Sequence, residues 1–261
     1  MPFTQVGELR YYHFDIFRLP GLVHAVFTRH GGVSPTPWKS LNLGSLSGDS
    51  KENVVENRRR IFDAIGLQVE SIYDAWQVHG TNVICTDRPR PLGLAHVKAD
   101  AILTDNPQVT LFMRFADCVP IFLYDPIHRV VGMAHAGWQG TLLQVARITV
   151  ERMVSDYETN PEDILAGIGP SVGPDHYEIG PDVAEKVSDT FSEEAPHLLL
   201  NRRGKIYFDL WKTNQLMLER AGIKQIQVAG LCTACHTEDW YSHRAEHGKT
   251  GRFGGLIALR G

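Results

Sequence analysis

Along the chain, short runs of continuous or alternating hydrophobicity are interrupted by a few longer stretches with helical period. Residues 22–28 are apolar and strand-like and lead into Arg29-His30-Gly31-Gly32-Val33-Ser34-Pro35, a loop rich in chain breakers. Ser50 is placed as an N-cap, Val54, Val55, Ile61, Phe62 and Ile65 recur near helical spacing, and Gly66 is a stop, which predicts a helix over 52–65. Strands are predicted at 109–115 and 120–124, flanking Asp117-Cys118, and at 129–135, followed by a Gly137-Trp138-Gln139-Gly140 loop. A long amphipathic helix is predicted over 141–157, a strand over 163–168, and helices over 181–194 and 209–221, the last capped by Asp209 and stopped by Gly222. Strands at 226–231 and 256–259 close the pattern. Strands outnumber helices and do not alternate with them one for one, which predicts an α+β layered fold with mixed sheets, as one domain over 1–261.

Composition narrows the function classes. The chain has 261 residues, 43% hydrophobic and 21% charged, and a net charge of −4. A chain of this length buries about 70–75% of its surface, so neither disulfides nor a metal is needed merely to hold a core. No dense basic stripe suggests nucleic acid. Arg58-Arg59-Arg60 reads as a solvated helix face, with Glu52 and Glu56 at helical spacing before it. No apolar run reaches the ~18 residues of a membrane helix. The N-terminal residues lack the basic-then-apolar order of a secretory signal, so a cytoplasmic protein without a membrane partner is expected. In that compartment Cys85, Cys118, Cys232 and Cys235 are expected to be thiols.

Three polar residues stand where apolar strands break into loops: His79 in Gln77-Val78-His79-Gly80, Cys118 in Ala116-Asp117-Cys118-Val119-Pro120, and His135 in Ala134-His135-Ala136-Gly137-Trp138. Two imidazoles and a thiolate would leave one position of a tetrahedral zinc open, the arrangement of a catalytic site; copper is the next metal that such donors suit. The alternative is three unrelated buried polar residues, since the spacing matches no local metal pattern. Cys232-Thr233-Ala234-Cys235-His236 has the form of a c-type haem attachment, but no export signal accompanies it. It also has the form of half a zinc site, but no second cysteine pair completes it, and structural or chance thiols are expected. Gly169-Pro170-Ser171-Val172-Gly173 matches a nucleophile elbow, but Gly173 and Pro174 oppose the helix that an elbow requires, so a plain turn is expected. Trp76 and Trp138 are core residues or stacking surfaces for a base or sugar, and Arg29, Arg114 and Arg244 are candidate anion contacts.

Several motifs then occur in order: Phe27-Thr28-Arg29-His30-Gly31-Gly32-Val33-Ser34, Leu41-Asn42-Leu43-Gly44, Gln77-Val78-His79-Gly80, Ala99-Asp100-Ala101, Ala116-Asp117-Cys118-Val119-Pro120, His135-Ala136-Gly137-Trp138, Gly169-Pro170-Ser171, Tyr177-Glu178-Ile179-Gly180, Ser242-His243-Arg244 and Thr250-Gly251-Arg252. Together they resemble the laccase-domain family, also called YfiH-like or multicopper polyphenol oxidase-like, over nearly the whole chain. The resemblance implies an α/β/β/α layered domain with a metal, typically zinc, on the residues that match His79, Cys118 and His135. It implies a purine nucleoside phosphorylase, a transferase acting on adenosine, inosine, guanosine or methylthioadenosine with phosphate, and a hydrolase activity as adenosine deaminase; some bacterial members are tied to peptidoglycan editing. Gln139 departs from the pattern, since many members carry arginine there. If that arginine holds an anion, phosphate binding here is weaker or is carried by another residue.

In this reading Cys118 is a ligand thiolate, and Arg29, Asn42, Gln77 and Arg244 contact ribose and phosphate. Asp117 either orients a ligand histidine or is a turn residue. Two other activities compete: a copper-dependent polyphenol oxidase, weakened because the chain has no His-x-His pair, and a cysteine amidase in peptidoglycan editing, with Cys118 as nucleophile and His135 as base. A non-enzymatic metal-stabilised binding protein is a further alternative. The chain is expected to act as a monomer or homodimer.

Overall fold

The computed structural model describes residues 2–260. Two six-stranded sheets pack face to face, and a small three-stranded sheet stands beside them. The first large sheet runs, in spatial order, through Phe3–Val6, Leu9–Tyr12, Leu22–Phe27, Phe253–Leu259, Thr110–Phe115 and Ile72–Tyr73. The second runs through Gln225–Val228, Leu165–Ile168, Val119–Asp125, Val130–Ala136, Ala101–Thr104 and Val83–Cys85. Most neighbours are antiparallel, but each large sheet has a parallel pairing at an edge, so both are mixed.

The layers follow from where apolar side chains are buried. Phe14, Phe115, Phe122, Met133, Trp240 and Phe253 fill the space between the two sheets. The helix Lys51–Ile65 lays Ile61 and Phe62 on the outer face of the first sheet, against Phe27, Phe112 and Leu256. Helices Val145–Tyr157, Pro181–Phe191 and Leu210–Arg220 cover the outer face of the second sheet, through Val150, Met153, Val187, Met217 and Leu218. Helix, sheet, sheet, helix is the predicted α/β/β/α order. The strands Val119–Asp125, Val130–Ala136 and Phe253–Leu259 are buried at every residue because both of their faces are covered.

The caps at Ser50 and Asp209 form as predicted: Ser50 accepts from the Asn53 N–H and Asp209 from that of Lys212. The predicted helix over 141–157 is instead two. Trp138–Leu142 starts at the cap residue Gly137, and Val145–Tyr157 follows after Gln144 takes a left-handed conformation, with φ +62°. Helical periodicity runs through such a break, so the pattern alone does not reveal it. The basic triplet also divides. Arg59 and Arg60 pair with Glu56, whereas Arg58 turns inward beneath Phe112 toward the buried Asp74 carboxylate. No described helix is long and apolar enough to cross a membrane.

His24, on Leu22–Phe27, gives the fold an acid-sensitive point. Its Nε2 accepts the Phe14 N–H at 2.8 Å, and burial first, then the neighbouring His13, push its pKa from 6.5 down to about 3. Above the ordinary value both folded and unfolded chains carry a neutral imidazole, and the full stability is present. As pH falls toward the folded value only the unfolded chain takes up the proton, so stability is lost by up to about 1.4 kcal/mol per pH unit. Between pH 7 and 5 the urea-unfolding free energy of the native chain should therefore fall by about 2 kcal/mol more than that of His24→Gln. Equal declines would contradict this role.

Candidate metal centre

His135 lies near the end of Val130–Ala136, and Cys118 immediately precedes Val119–Asp125. The antiparallel register sets Pro120 against His135 and Val119 against Ala136, so both side chains leave the same end of the second sheet. His79 comes from the loop between Ile72–Tyr73 and Val83–Cys85 and has φ +62°, a conformation that a side chain disfavours. The imidazole, thiol and imidazole donors all lie within 4.8 Å of one another. Cys118 Sγ is 3.8 Å from His79 Nε2, and the two imidazole rings have centroids 5.0 Å apart.

One carboxylate orders this arrangement. Asp100 is fully buried just before Ala101–Thr104. Its Oδ2 accepts the Val78 and Gly80 N–H groups at 3.1 and 2.7 Å, and its Oδ1 accepts the His79 N–H at 3.0 Å. Oδ1 also lies 2.8 Å from His135 Nδ1. A carboxylate only accepts, so His135 keeps a proton on Nδ1 and turns Nε2 toward Cys118, as the nitrogen that a cation would take once it displaces the second proton. Asp100 thus holds the strained His79 turn and sets the His135 tautomer together.

Burial works against charge on Cys118, but His135 and His79 outweigh it and bring the thiol from 9.0 down to about 6. Burial likewise opposes the His135 imidazolium, but the Cys118 thiolate and then Asp100 outweigh it and raise the imidazole from 6.5 to about 9. The pair therefore holds a thiolate and a shared proton that a divalent cation would displace. A thiolate and two imidazoles suit a zinc-class ion with one position left open.

Gly137 leaves room for this centre. A Cβ there would lie 2.8 Å from His79 Cδ2 and 3.0 Å from Cys118 Sγ. Because His79 is exposed and able to swing aside, Gly137→Ala should cost about 1 kcal/mol of metal binding, roughly a fivefold weaker affinity in a chelator competition. Unchanged affinity would show that the cradle is looser than it looks.

The donors open into a cavity of about 650 Å³, a volume typical of small-molecule sites. Trp76, 50% exposed, and Trp138 are among the aromatic residues of its wall. Arg114, Arg244 and Arg252 line it as well, together with Gln139. Arg244 is seated on backbone carbonyls, donating to Glu178 at 2.8 Å and His176 at 3.4 Å, with its guanidinium over the Tyr177 ring. Arg114 donates to the Ala75 carbonyl at 2.7 Å and stands beside Asp74. Burial opposes charge on Asp74, but His96 and the guanidinium groups of Arg114 and Arg58 outweigh it and hold the carboxyl well below the usual range.

The residues selected from sequence fall into different places. His79, Cys118 and His135 converge. Gln77 and Arg244 line the cavity, with the Gln77 amide holding both the N–H and the carbonyl of Arg114. Arg29 and Asn42 are not among the lining residues. Arg29 donates to the carbonyls of Lys39 and Thr237 and to Glu246, and stacks on Tyr241. Asn42 is fully buried, accepting from the Gly44 and Arg252 N–H groups and donating to Ser47 and Asp49. Both shape loops around the cavity.

Asp117 accepts from the Thr233 hydroxyl and the Arg244 N–H, each at 2.6 Å, so it anchors loops, and the histidine-orienting carboxylate is Asp100. In the sequence Asp100 stands only within a motif, and its signal is an acidic residue between alanines at the head of an apolar strand. Ser171 is buried and accepts from the Trp211 indole at 2.6 Å, as suits a turn residue.

A family model described as multi-copper polyphenol oxidoreductase laccase matches residues 23–260. A Deinococcus radiodurans protein named purine nucleoside phosphorylase is 38% identical over 94% of this chain and 92% of its own length. The Bacillus subtilis purine nucleoside phosphorylase YlmD is also 38% identical, over 89% of this chain and 87% of its own. Among solved structures, the hypothetical protein YfiH of Bacillus licheniformis superposes with a TM-score of 0.92 at 33% identity, covering 99% of both chains.

Proposed function

The chain belongs to the multi-copper polyphenol oxidoreductase laccase family, and on that premise we propose that it is a zinc-dependent purine nucleoside phosphorylase, with adenosine deamination as a secondary activity. The observation that carries this reading is the joining of three metal donors, an exposed tryptophan and three arginines in one cavity.

The substrates are adenosine, inosine, guanosine or methylthioadenosine, with inorganic phosphate as co-substrate. His79, Cys118 and His135 hold the metal, which when bound supplies Lewis acidity or lowers the pKa of water. Trp76 offers the purine a flat apolar face. Arg244, Arg114 and Arg252 give phosphate a cationic wall, which leaves Gln139 no need to carry charge. In phosphorolysis the bond from the anomeric carbon to the purine nitrogen breaks, a bond to a phosphate oxygen forms, and the electron pair leaves with the base. Positive charge grows on the sugar at the transition state, so an anion fixed beside it lowers the barrier. His96 and His243 line the same cavity and are able to give the departing base its proton. Gln77 positions Arg114, while Arg29 and Asn42 position the surrounding loops.

The lowered Cys118 thiol also suits the cysteine nucleophile of an amidase. The nearness of His79 as a third donor favours the metal reading. Two readouts separate them. Chromatography of each nucleoside incubated with and without phosphate should give free base only with phosphate, and zinc should protect Cys118 from alkylation. Unchanged nucleosides together with zinc-insensitive alkylation would move the assignment to the amidase. Air-dependent phenol oxidation without added copper would move it to the oxidase.

A further inference from the structure

A second group of donors lies outside the centre described above. His176 Nδ1 is 3.8 Å from Cys232 Sγ, 3.5 Å from Cys235 Sγ and 3.1 Å from Asp175 Oδ1. All four donors lie within 4.8 Å of one another. The Cys-x-x-Cys element lacks a second cysteine pair in the sequence, but the fold supplies its complement from an adjacent Asp-His pair. His176 and Cys232 are 56 residues apart in sequence. We propose that Asp175, His176, Cys232 and Cys235 form a second metal site, a closed four-donor centre for a divalent ion of the zinc class.

The distances fit such an ion. Zinc–sulfur bonds of about 2.3 Å and zinc–nitrogen bonds of about 2.0–2.1 Å, at the tetrahedral angle, set sulfur and nitrogen about 3.6 Å apart. The two sulfur–nitrogen separations lie on either side of that edge length. Two thiolates, an imidazole and a carboxylate fill four positions with protein atoms, the pattern of a structural site. The Gly173 N–H donates to Cys232 Sγ at 3.2 Å, a contact that would support the sulfur as a ligand. A Cβ on Gly173 would lie 2.9 Å from Asp175 Oδ1 and 3.2 Å from Cys232 Sγ, so the glycine keeps the space among the donors clear. Binding would displace the two thiol protons to solvent. His236, which completes the haem-like pattern, instead pairs with Glu238.

The place of this site gives it a role. It joins the segment carrying Asp175 and His176 to the loop carrying Cys232 and Cys235, and both back the wall of the cavity. The carbonyls of His176 and Glu178 seat Arg244, Tyr177 lies beneath its guanidinium, and Thr233 donates to Asp117. An ion here would fix the wall that presents Arg244 without touching substrate.

The two centres share no residue, so metal counting separates them. Zinc per chain is measured by mass spectrometry after reduction and desalting, for the native chain, Cys118→Ala, the exposed-residue variant Cys235→Ser, and the double variant. The expected pattern is that Cys118→Ala keeps one equivalent, that this equivalent is lost in the double variant, and that cobalt titrated into Cys118→Ala shows thiolate charge-transfer bands absent from the double variant. Cys235→Ser alone should unfold at a lower temperature than the native chain. A native chain with one equivalent and a metal-free Cys235→Ser would support this site while removing the catalytic-metal reading. A metal-free Cys118→Ala, an equivalent that survives in the double variant, or a Cys232–Cys235 disulfide in the reduced, desalted chain would overturn the proposal.

Discussion

Cys118→Ala should lose the metal of the first centre and lose phosphorolysis with it. The substitution removes the only sulfur donor at that site and leaves two imidazoles, one exposed on a loop and one buried on a strand. It also removes the thiolate whose charge, with Asp100, keeps the His135 imidazole protonated and the pair poised for exchange with a cation. Folding should survive, since Cys118 is only half-buried and lies at a strand end outside the apolar clusters. The expected result is a fall in kcat/KM of at least about a thousandfold, equivalent to about 4 kcal/mol of transition-state stabilisation, with little change in melting temperature once the first centre is stripped from both proteins. A variant that retains metal and turnover would remove the thiolate from the account.

Asp100→Asn should weaken metal binding about 10–100-fold, the usual cost of losing the group that orients a ligand histidine. The reason is a count of donors. The carboxylate accepts three backbone N–H groups and faces His135 Nδ1, whereas an amide has one accepting atom and turns two donors toward the same partners. At least one of the Val78, His79 and Gly80 N–H groups then loses its acceptor, and the positive φ of His79 loses support. Asp100→Ala should also unfold several kcal/mol more easily, because each buried donor left unsatisfied costs about 1–3 kcal/mol. Chelator competition measures the first effect and urea unfolding the second. Native-like affinity in Asp100→Asn would mean that His135 needs no help in presenting Nε2.

How far the sequence reveals this molecule depends on the range of the interactions involved. Fold class was legible because strands buried on both faces read as apolar runs, and the caps at Ser50 and Asp209 are local. Strands of two to four residues, such as Ile72–Tyr73, Val83–Cys85 and Leu199–Arg202, show no period and were missed. The three candidate donors were legible only as polar residues beside apolar strands, since His79 and Cys118 are 39 residues apart and meet because Asp100 holds the His79 loop against the end of the sheet. Asp100 was not, because its partners are backbone N–H groups that no side-chain pattern reports. Arg29 and Asn42 illustrate the converse. Polar residues within specific motifs suggest ligand contacts, but their hydrogen bonds go to the backbone and side chains of neighbouring loops. Cys232 and Cys235 look isolated in the sequence because the Asp175-His176 pair that the fold sets beside them is distant in sequence.

If the His79, Cys118 and His135 centre serves phosphorolysis, phosphate becomes bonded to ribose there. The most direct measurement is phosphorus NMR of the zinc-loaded protein incubated with adenosine and inorganic phosphate, beside Cys118→Ala. The predicted result is a sugar phosphate ester resonance that grows in step with free adenine in the native chain and is absent from the variant. Adenine appearing with free ribose and no new phosphorus signal, or an ester formed equally well by Cys118→Ala, would contradict it.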